Sequence, residues 1–405
     1  MSNTSSTGAI PVASRVHGYS YAILNIVAEA RRVEAAGRPV KYLNAGDPVV
    51  FGFKTPAHMI AAVEKAVRDG HNGYGPSAGI VPAREAVARD FSSRGWSVTA
   101  DRVLLTAGAS EGIELALSAL ANPGDEVLLP SPTYPLYSAA TARIAAKTVY
   151  YRLDPSQGWL PDLDEIRTLI SPRTRALVVI DPNNPTGAVY PEAVRRDLVG
   201  LAARHGFVLL ADEVYSDLAY AGPTAPIASL DPDAPVIALG SLSKAYLAPG
   251  WRTGWMAVGS TPALSGVMAA LLKLADGRVC ATVPMQYAIR AALDGDRSHQ
   301  ASFRTALRTR AAVTTAALNA IPGMSCAAPA GAFYAMPKLS LPPGRTDEDY
   351  VLALLREAGV LCVYGSGFGT KPEDGFFRVI FLAEPAELEG IYATMAAFTR
   401  DYLRR

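Results

Sequence analysis

The sequence predicts an α/β fold: a mostly parallel sheet with helices on both faces, joined to a smaller α+β domain. Three observations carry this. Short β-rich runs alternate with helical stretches between residues 103 and 239, the pattern of a parallel sheet covered on both sides. Half of the 405 residues are apolar and 19% are charged, enough to fill such a core without a membrane. Past Pro284 the rhythm changes to long helical stretches with short, scattered strands.

In chain order, residues 1–18 read as an arm. Residues 21–36 have helical apolar spacing and stop at Gly37, a C-terminal cap. Helices are also expected over 59–68 and 81–94. Strands follow at 103–106, 126–129, 148–151, 176–180, 208–212 and 236–239, with helices between them at 110–120, 135–145 and 192–205. One long helical stretch covers 284–321, strands are expected within 331–336, 359–363 and 376–382, and helices within 351–357 and 386–402. The expected division is a large domain at 60–285 and a small domain built from 19–59 and 286–405. In a parallel sheet, ligands sit at the carboxyl ends of the strands, so chemistry is sought there.

Bulk properties exclude several function classes. The net charge of +1 argues for neither nucleic acid nor an anionic membrane surface. No apolar run reaches the ~20 residues that span a bilayer, and the Ser/Thr-rich first ten residues do not read as a secretory signal. Cys280, Cys326 and Cys362, odd in number and far apart, fit reduced thiols in a cytoplasmic protein. His17, His58, His71, His205 and His299 lack metal-ligand spacing, so no metal site is expected.

Lys244, in Ser241-Leu242-Ser243-Lys244, follows the strand at 236–239. Alone it reads as a surface lysine, but three features change the weighing. Asp212 ends the apolar run Val208-Leu209-Leu210-Ala211. A buried acid needs a partner: either it caps a following helix, or it faces a cation such as a protonated pyridine nitrogen, which makes the ring an electron sink. Arg252 lies eight residues past the lysine, and a guanidinium with the hydroxyls of Ser241 and Ser243 makes a phosphate grip. Gly108-Ala109-Ser110 turns from a strand into a helix N-terminus, a ready anion site.

Taken with Asp181-Pro182-Asn183-Asn184-Pro185-Thr186-Gly187 and Ala211-Asp212-Glu213-Val214-Tyr215, the lysine motif resembles the fold-type-I, class-I aminotransferases over nearly the whole chain. Within them, Asn44-Ala45-Gly46-Asp47-Pro48, Phe51-Gly52-Phe53 and Gly365-Ser366-Gly367-Phe368-Gly369 are most similar to bacterial and archaeal alanine aminotransferases. The resemblance implies pyridoxal 5′-phosphate as cofactor, held by Lys244 as a Schiff base, and ping-pong transfer of an amino group to a 2-oxo acid. It implies Tyr215 and Asn184 at the cofactor's phenolic oxygen, Tyr134 stacked on the ring, and Arg378 with the Gly46 N–H on the substrate α-carboxylate. It also implies a cis Asn184–Pro185 bond and a homodimer, with Tyr74 reaching the neighbouring subunit's phosphate. Arg278 lies near where relatives place an arginine for a distal carboxylate. Leu24 stands where alanine aminotransferases of this type carry an arginine, which widens the expected donors from alanine and glutamate toward apolar amino acids. Aromatic, branched-chain and aspartate transamination stay open as alternatives, as do a β-lyase and a decarboxylase.

A rival of another class is present in the letters. Gly108-Ala109-Ser110-Glu111-Gly112 matches the G-x-S-x-G elbow of α/β serine hydrolases. That chemistry needs an acid and then a histidine downstream. Only His205 and His299 follow, neither in a strand-end loop with a suitable acid before it.

Overall fold

The computed structural model describes residues 10, 12–13, 16 and 22–405. Most of the expected arm at 1–18, Tyr21 and the side chain of Leu24 lie outside the described residues. The chain begins with helix α1 (Ala22–Ala35), the short strand β1 (Lys41–Tyr42), and helices α2 (Ala57–Arg68) and α3 (Val81–Ser93). The alternating region then runs β2 (Val103–Thr106), α4 (Ala109–Leu120), β3 (Glu126–Ser131), α5 (Pro135–Arg143), β4 (Lys147–Asp154), β5 (Leu160–Pro161), α6 (Leu163–Leu169), β6 (Thr174–Ile180), α7 (Glu192–His205), β7 (Val208–Asp212), β8 (Val236–Ser241) and β9 (Gly254–Val258).

These strands form one sheet in the order β2-β9-β8-β7-β6-β3-β4-β5. The pairs β3–β4, β3–β6, β6–β7 and β7–β8 are parallel, while β9 runs antiparallel to both β2 and β8, and β5 to β4. Side-chain alternation explains why both faces are covered. Val103 and Leu105 of β2 join Leu209 and Ala211 of β7 in one apolar cluster, to which α3 and α7 contribute Phe91 and Leu198. Leu104, Leu210 and Leu239 point the other way, into a cluster with Ile113 of α4, Tyr137 of α5 and Leu271 of helix α8 (Ser265–Asp276). Helix α4 lies close on the sheet because Gly112 has no side chain; a Cβ there would meet Leu239 at 2.9 Å.

The expected continuous helix over 284–321 is two helices, α9 (Val283–Asp294) and α10 (Ser298–Asn319). Gly295 is extended between them, and Asp296 accepts the Ser298 N–H at 2.8 Å, which starts the second helix afresh. Helix α9 packs on α2 and α3. The remaining elements are β10 (Met324–Ser325), β11 (Tyr334–Ala335), β12 (Lys338–Leu339), α11 (Asp347–Ala358), β13 (Val360–Leu361), β14 (Val363–Tyr364), β15 (Phe377–Ile380) and α12 (Pro385–Tyr402). Helix α10 packs on α12, and β15 lies between β11 and β14. Strand β9 was not foreseen: Gly254-Trp255-Met256-Ala257-Val258 directly follows a turn-rich motif and is short. Among the described residues, no helix is long and apolar enough to cross a membrane.

One junction brings the N-terminal segment to the sheet's working edge. β1 pairs in parallel with β13, Lys41 opposite Val360, and Leu43 N–H donates to Leu361 O at 2.8 Å. This delivers Asn44, Ala45 and Gly46 to the carboxyl ends of the large sheet. Gly359 makes the junction possible. It ends α11 at φ +69°, its carbonyl accepts the Lys41 N–H at 2.8 Å, and a Cβ would lie 2.5 Å from Pro39 O. Gly359→Ala is therefore expected to cost roughly 2 kcal/mol of stability from the left-handed backbone and the contact together. A thermal melt reads this as a fall of several degrees; an unchanged melting temperature would show that the junction has slack.

Candidate active site

The carboxyl ends of β2, β6, β7 and β8 surround a cavity of about 350 Å³. It is lined by Gly46, Ala109, Ser110, Tyr134, Asn184, Asp212, Tyr215, Ser241, Ser243, Lys244, Arg252 and Arg378. Residues more than 330 positions apart in sequence thus converge on one space. Ile23, Ala45, Ile113, Ile180, Val214, Pro249 and Tyr334 complete the described lining, none of them singled out from sequence.

One end of the cavity is built for an anion. Ala109 and Ser110 begin α4, whose first N–H groups point out of the helix. Gly108 precedes them at φ +75°, and a Cβ there would collide with the Arg252 guanidinium. Arg252 arrives from the β8–β9 connection, with Nη1 donating to Pro249 O at 3.0 Å and Nη2 to Ala107 O at 3.3 Å. Ser241 and Ser243 are buried beside it. Leu242 N–H donates to Thr253 O at 3.0 Å, closing the connection so that Lys244 and Arg252 share one edge.

Asp212 forms the floor. It is the last residue of β7 and is buried. Tyr137 Oη donates to its Oδ2 at 3.0 Å, and Val214 N–H to its Oδ1 at 3.3 Å. Burial pushes its carboxyl up to about 6, against the pull of these two hydrogen bonds and of Lys244. A carboxylate so placed favours a cation in the cavity. Sequence reasoning missed Tyr137, although it sits three residues after Tyr134, on the first turn of α5.

Lys244 Nζ donates to Gly46 O at 2.7 Å, tying the β1 segment to the β8 edge. Burial lowers its ammonium to about 8; Asp47 opposes this, while the charges of Arg378 and Arg252 add to it. The amine is thus available in its neutral, nucleophilic form at mildly alkaline pH.

Arg378 lies on β15 and is 1% exposed, which rules out a surface cross-strand charge. Its Nη1 donates to Asn184 Oδ1 at 2.9 Å, its Nη2 donates to Asn44 O, and its guanidinium packs between the Tyr334 and Phe368 rings, 4.7 Å from each. Asn184 is held in turn by its loop. Asp181 accepts the Tyr190 N–H at 3.0 Å and pairs with Arg195 at 3.1 Å, and Asn183 Oδ1 accepts the Thr186 hydroxyl at 2.8 Å. The Asn184–Pro185 bond is cis, as are Ser131–Pro132 and Asp181–Pro182. Tyr334 was also missed. Its hydroxyl is 2.8 Å from that of Tyr215 and fills the space a Cβ on Gly46 would need.

Besides Gly108, which immediately precedes the lining residue Ala109, two sequence candidates stand apart from the lining. Tyr74 is 90% exposed on the loop between α2 and α3. Arg278 lies in the turn after α8 and pairs through Nε with Glu111 Oε1 at 2.7 Å. Histidine is missing from the described lining residues, so Ser110 has no imidazole beside it there, and Gly112 serves helix packing. The G-x-S-x-G match is therefore a coincidence of letters.

Comparison with known proteins agrees with this geometry. The sequence profile described as "Aminotransferase class I and II" matches residues 39–392. Glutamate-pyruvate aminotransferase AlaA of Haemophilus influenzae is 38% identical over 381 residues, 92% of this chain and 94% of that protein. Alanine aminotransferase of Mycobacterium bovis is also 38% identical, over 92% of this chain and 88% of its own length. The solved structure of alanine aminotransferase from Pyrococcus furiosus superposes with a TM-score of 0.93 at 38% identity, covering 96% of this chain and all of that one. Lysine, acid and buried arginine around one cavity, the strand order beneath them and the match over most of the chain lead to one conclusion: this chain is a member of the class I and II aminotransferase family.

Proposed function

We propose that the cavity holds pyridoxal 5′-phosphate, that Lys244 is its covalent anchor and the proton carrier, and that the amino group moves between an L-amino acid, alanine first, and a 2-oxo acid. The observation that carries this is the convergence of Lys244, Asp212 and Arg378 on one enclosed space. The relatives named for alanine and glutamate–pyruvate transamination support the choice of substrates. The family implies the cofactor, and the cavity fits it: a buried acid at the floor, a helix N-terminus with hydroxyls and a guanidinium at one end, and an amine between them.

When bound, pyridoxal phosphate supplies an electron sink for the bonding pair released at the substrate α-carbon. Asp212 keeps the pyridine nitrogen protonated, and Tyr137 and Val214 hold the carboxylate in line. Ser110, Ser241, Ser243 and Arg252 take the phosphate with the N–H groups of Ala109 and Ser110. Tyr134 covers the ring face. Tyr215 and the Asn184 amide nitrogen, whose partner oxygen is already engaged by Arg378, would hold the phenolic oxygen. Arg378 grips the substrate α-carboxylate, aided by the Gly46 N–H. Lys244 Nζ, in its neutral form, would take the proton from the substrate α-carbon and hand it on within the site.

Assembly belongs to the same proposal. Tyr74, extended into solvent, completes the phosphate site of a second copy, making the enzyme a homodimer with shared sites. Its working compartment is the cytoplasm.

A donor–acceptor matrix, scored for both products, tests the reaction; alanine with 2-oxoglutarate is expected to give pyruvate and glutamate. Lys244→Ala should fold normally yet lose at least about 10³-fold in turnover. Arg378→Ala should lower kcat/KM for every amino acid by roughly 10²-fold, the worth of a charge-assisted carboxylate grip. Near wild-type rates in either variant would remove the central assignment.

Asp212 gives a prediction without turnover. Its folded pKa of about 6 lies above the unfolded value near 3.9, so the apo fold prefers the proton. Its contribution is fully present below about pH 4 and is lost as pH rises through 6, a swing of about 3 kcal/mol. Apo Asp212→Asn should therefore melt higher than apo wild type at pH 7, with the gap closing at pH 4, and should bind the cofactor more weakly. Parallel melting curves at both pH values would contradict this. For Tyr74→Phe, dialysis should release the cofactor faster while sedimentation still reports a dimer. A fully active monomer would refute the shared site.

A further inference from the structure

Glu111 and Arg278 lie just outside the cavity and have no part in the chemistry above. Glu111 is in the first turn of α4. Its Oε2 accepts the Ala107 N–H at 2.7 Å, and its Oε1 pairs with Arg278 Nε at 2.7 Å. Arg278 Nη2 also donates to Leu105 O at 2.7 Å, reaching the end of β2 from the turn between α8 and α9. On the other side of the same residue, the Ala107 carbonyl accepts from Arg252 at 3.3 Å. Ala107 is thus held by a carboxylate at its N–H and by a guanidinium at its carbonyl. It immediately precedes Gly108 and the helix N-terminus.

We propose that Glu111 and Arg278 are a positioning pair for the phosphate end of the site: Glu111 fixes the orientation of the Ala107–Gly108–Ala109 turn, and Arg278 fixes and neutralises Glu111. The inference rests on the cofactor reading above and deepens it. Charge balance at the helix end requires both residues. A carboxylate in a helix's first turn answers the positive end of that helix and competes with an anionic ligand for it. Arg278 cancels that competition, so the N–H groups of Ala109 and Ser110 keep their pull on the phosphate. Both side chains are about four-fifths buried, with 18% and 20% exposed, so the pair is weakly screened by solvent. Val279, next to Arg278, is held at φ +73°, a conformation a β-branched residue adopts only when its surroundings impose it.

The test titrates the apoenzyme with pyridoxal 5′-phosphate and, separately, with pyridoxal, which lacks the phosphate. Wild type should prefer the phosphorylated form strongly; equal affinities would sink the cofactor reading itself. Glu111→Ala and Arg278→Ala should each weaken pyridoxal phosphate binding about tenfold, as for one lost charge-assisted hydrogen bond, and leave pyridoxal within about twofold. The double variant should be little worse than the worse single one, because the two act as one unit. Glu111→Gln keeps a carbonyl for the Ala107 N–H and should fall in between, which preserves the test if the alanine variant does not fold. At saturating cofactor, Arg278→Ala should keep the wild-type ratio of kcat/KM for glutamate over alanine. Equal weakening of both vitamers would reduce the pair to a general structural role. A selective loss of glutamate with unchanged cofactor affinity would make Arg278 a distal-carboxylate residue instead. Either result overturns the proposal.

Discussion

Everything at the sheet's carboxyl edge depends on holding ionisable groups out of water. Asp212 and Arg378 are buried and Lys244 part-buried around one cavity, and the protein resolves each differently. The acid is raised to about 6 and waits for a cation. The lysine is lowered to about 8 and donates to a backbone carbonyl. The arginine cannot shed its charge, so it is wrapped in an amide oxygen, a peptide carbonyl and two aromatic faces. Together they suit a ligand carrying a pyridine nitrogen, a carbonyl carbon and a carboxylate.

Much of this was legible in the sequence because it is local. The strands at 103–106 and 208–212 and the helix at 192–205 came out with their observed bounds, since alternation and caps are short-range signals. Lys244, Asp212, Arg252 and Gly108 stand in strand-end motifs that carry their own chemical sense. The residues that were missed owe their place to distant pairing. Tyr334 reaches the site because β11 pairs with β15, where Tyr334 faces Ile380, two residues from Arg378. Nothing near position 334 announces that. Tyr137 was within reach of a spacing argument, since Tyr134 was already placed at the ring. The break at Gly295 was missed because alanine-rich helical periodicity resumes at once on its far side.

The aromatic residues form a second, quieter layer. Tyr215 touches Tyr334 and Phe333 edge-on, and Phe333 packs against Phe303, which in turn meets Phe53. Side chains from segments on both sides of the cavity are thereby locked in rotamers. The lysine and the arginine lean on this frame, with Lys244 Nζ 5.8 Å from the Phe333 ring centre. Positional accuracy at the reacting atoms is thus inherited from packing between elements remote in sequence.

The antiparallel strand β9 has a consequence for the history of the fold. Because it returns beside β8 and then pairs with β2, the loop from Leu242 to Thr253 begins and ends at the same edge, against Gly108. Lys244 and Arg252 are the two feet of one hairpin, and their separation is set by its length. Insertions and deletions can accumulate in connections such as the one between β4 and α6 without moving a reacting group. In this hairpin a single added residue would shift the amine relative to the anion cradle. The length of this hairpin is therefore constrained together with the side chains of Ser243, Lys244 and Arg252 that it carries.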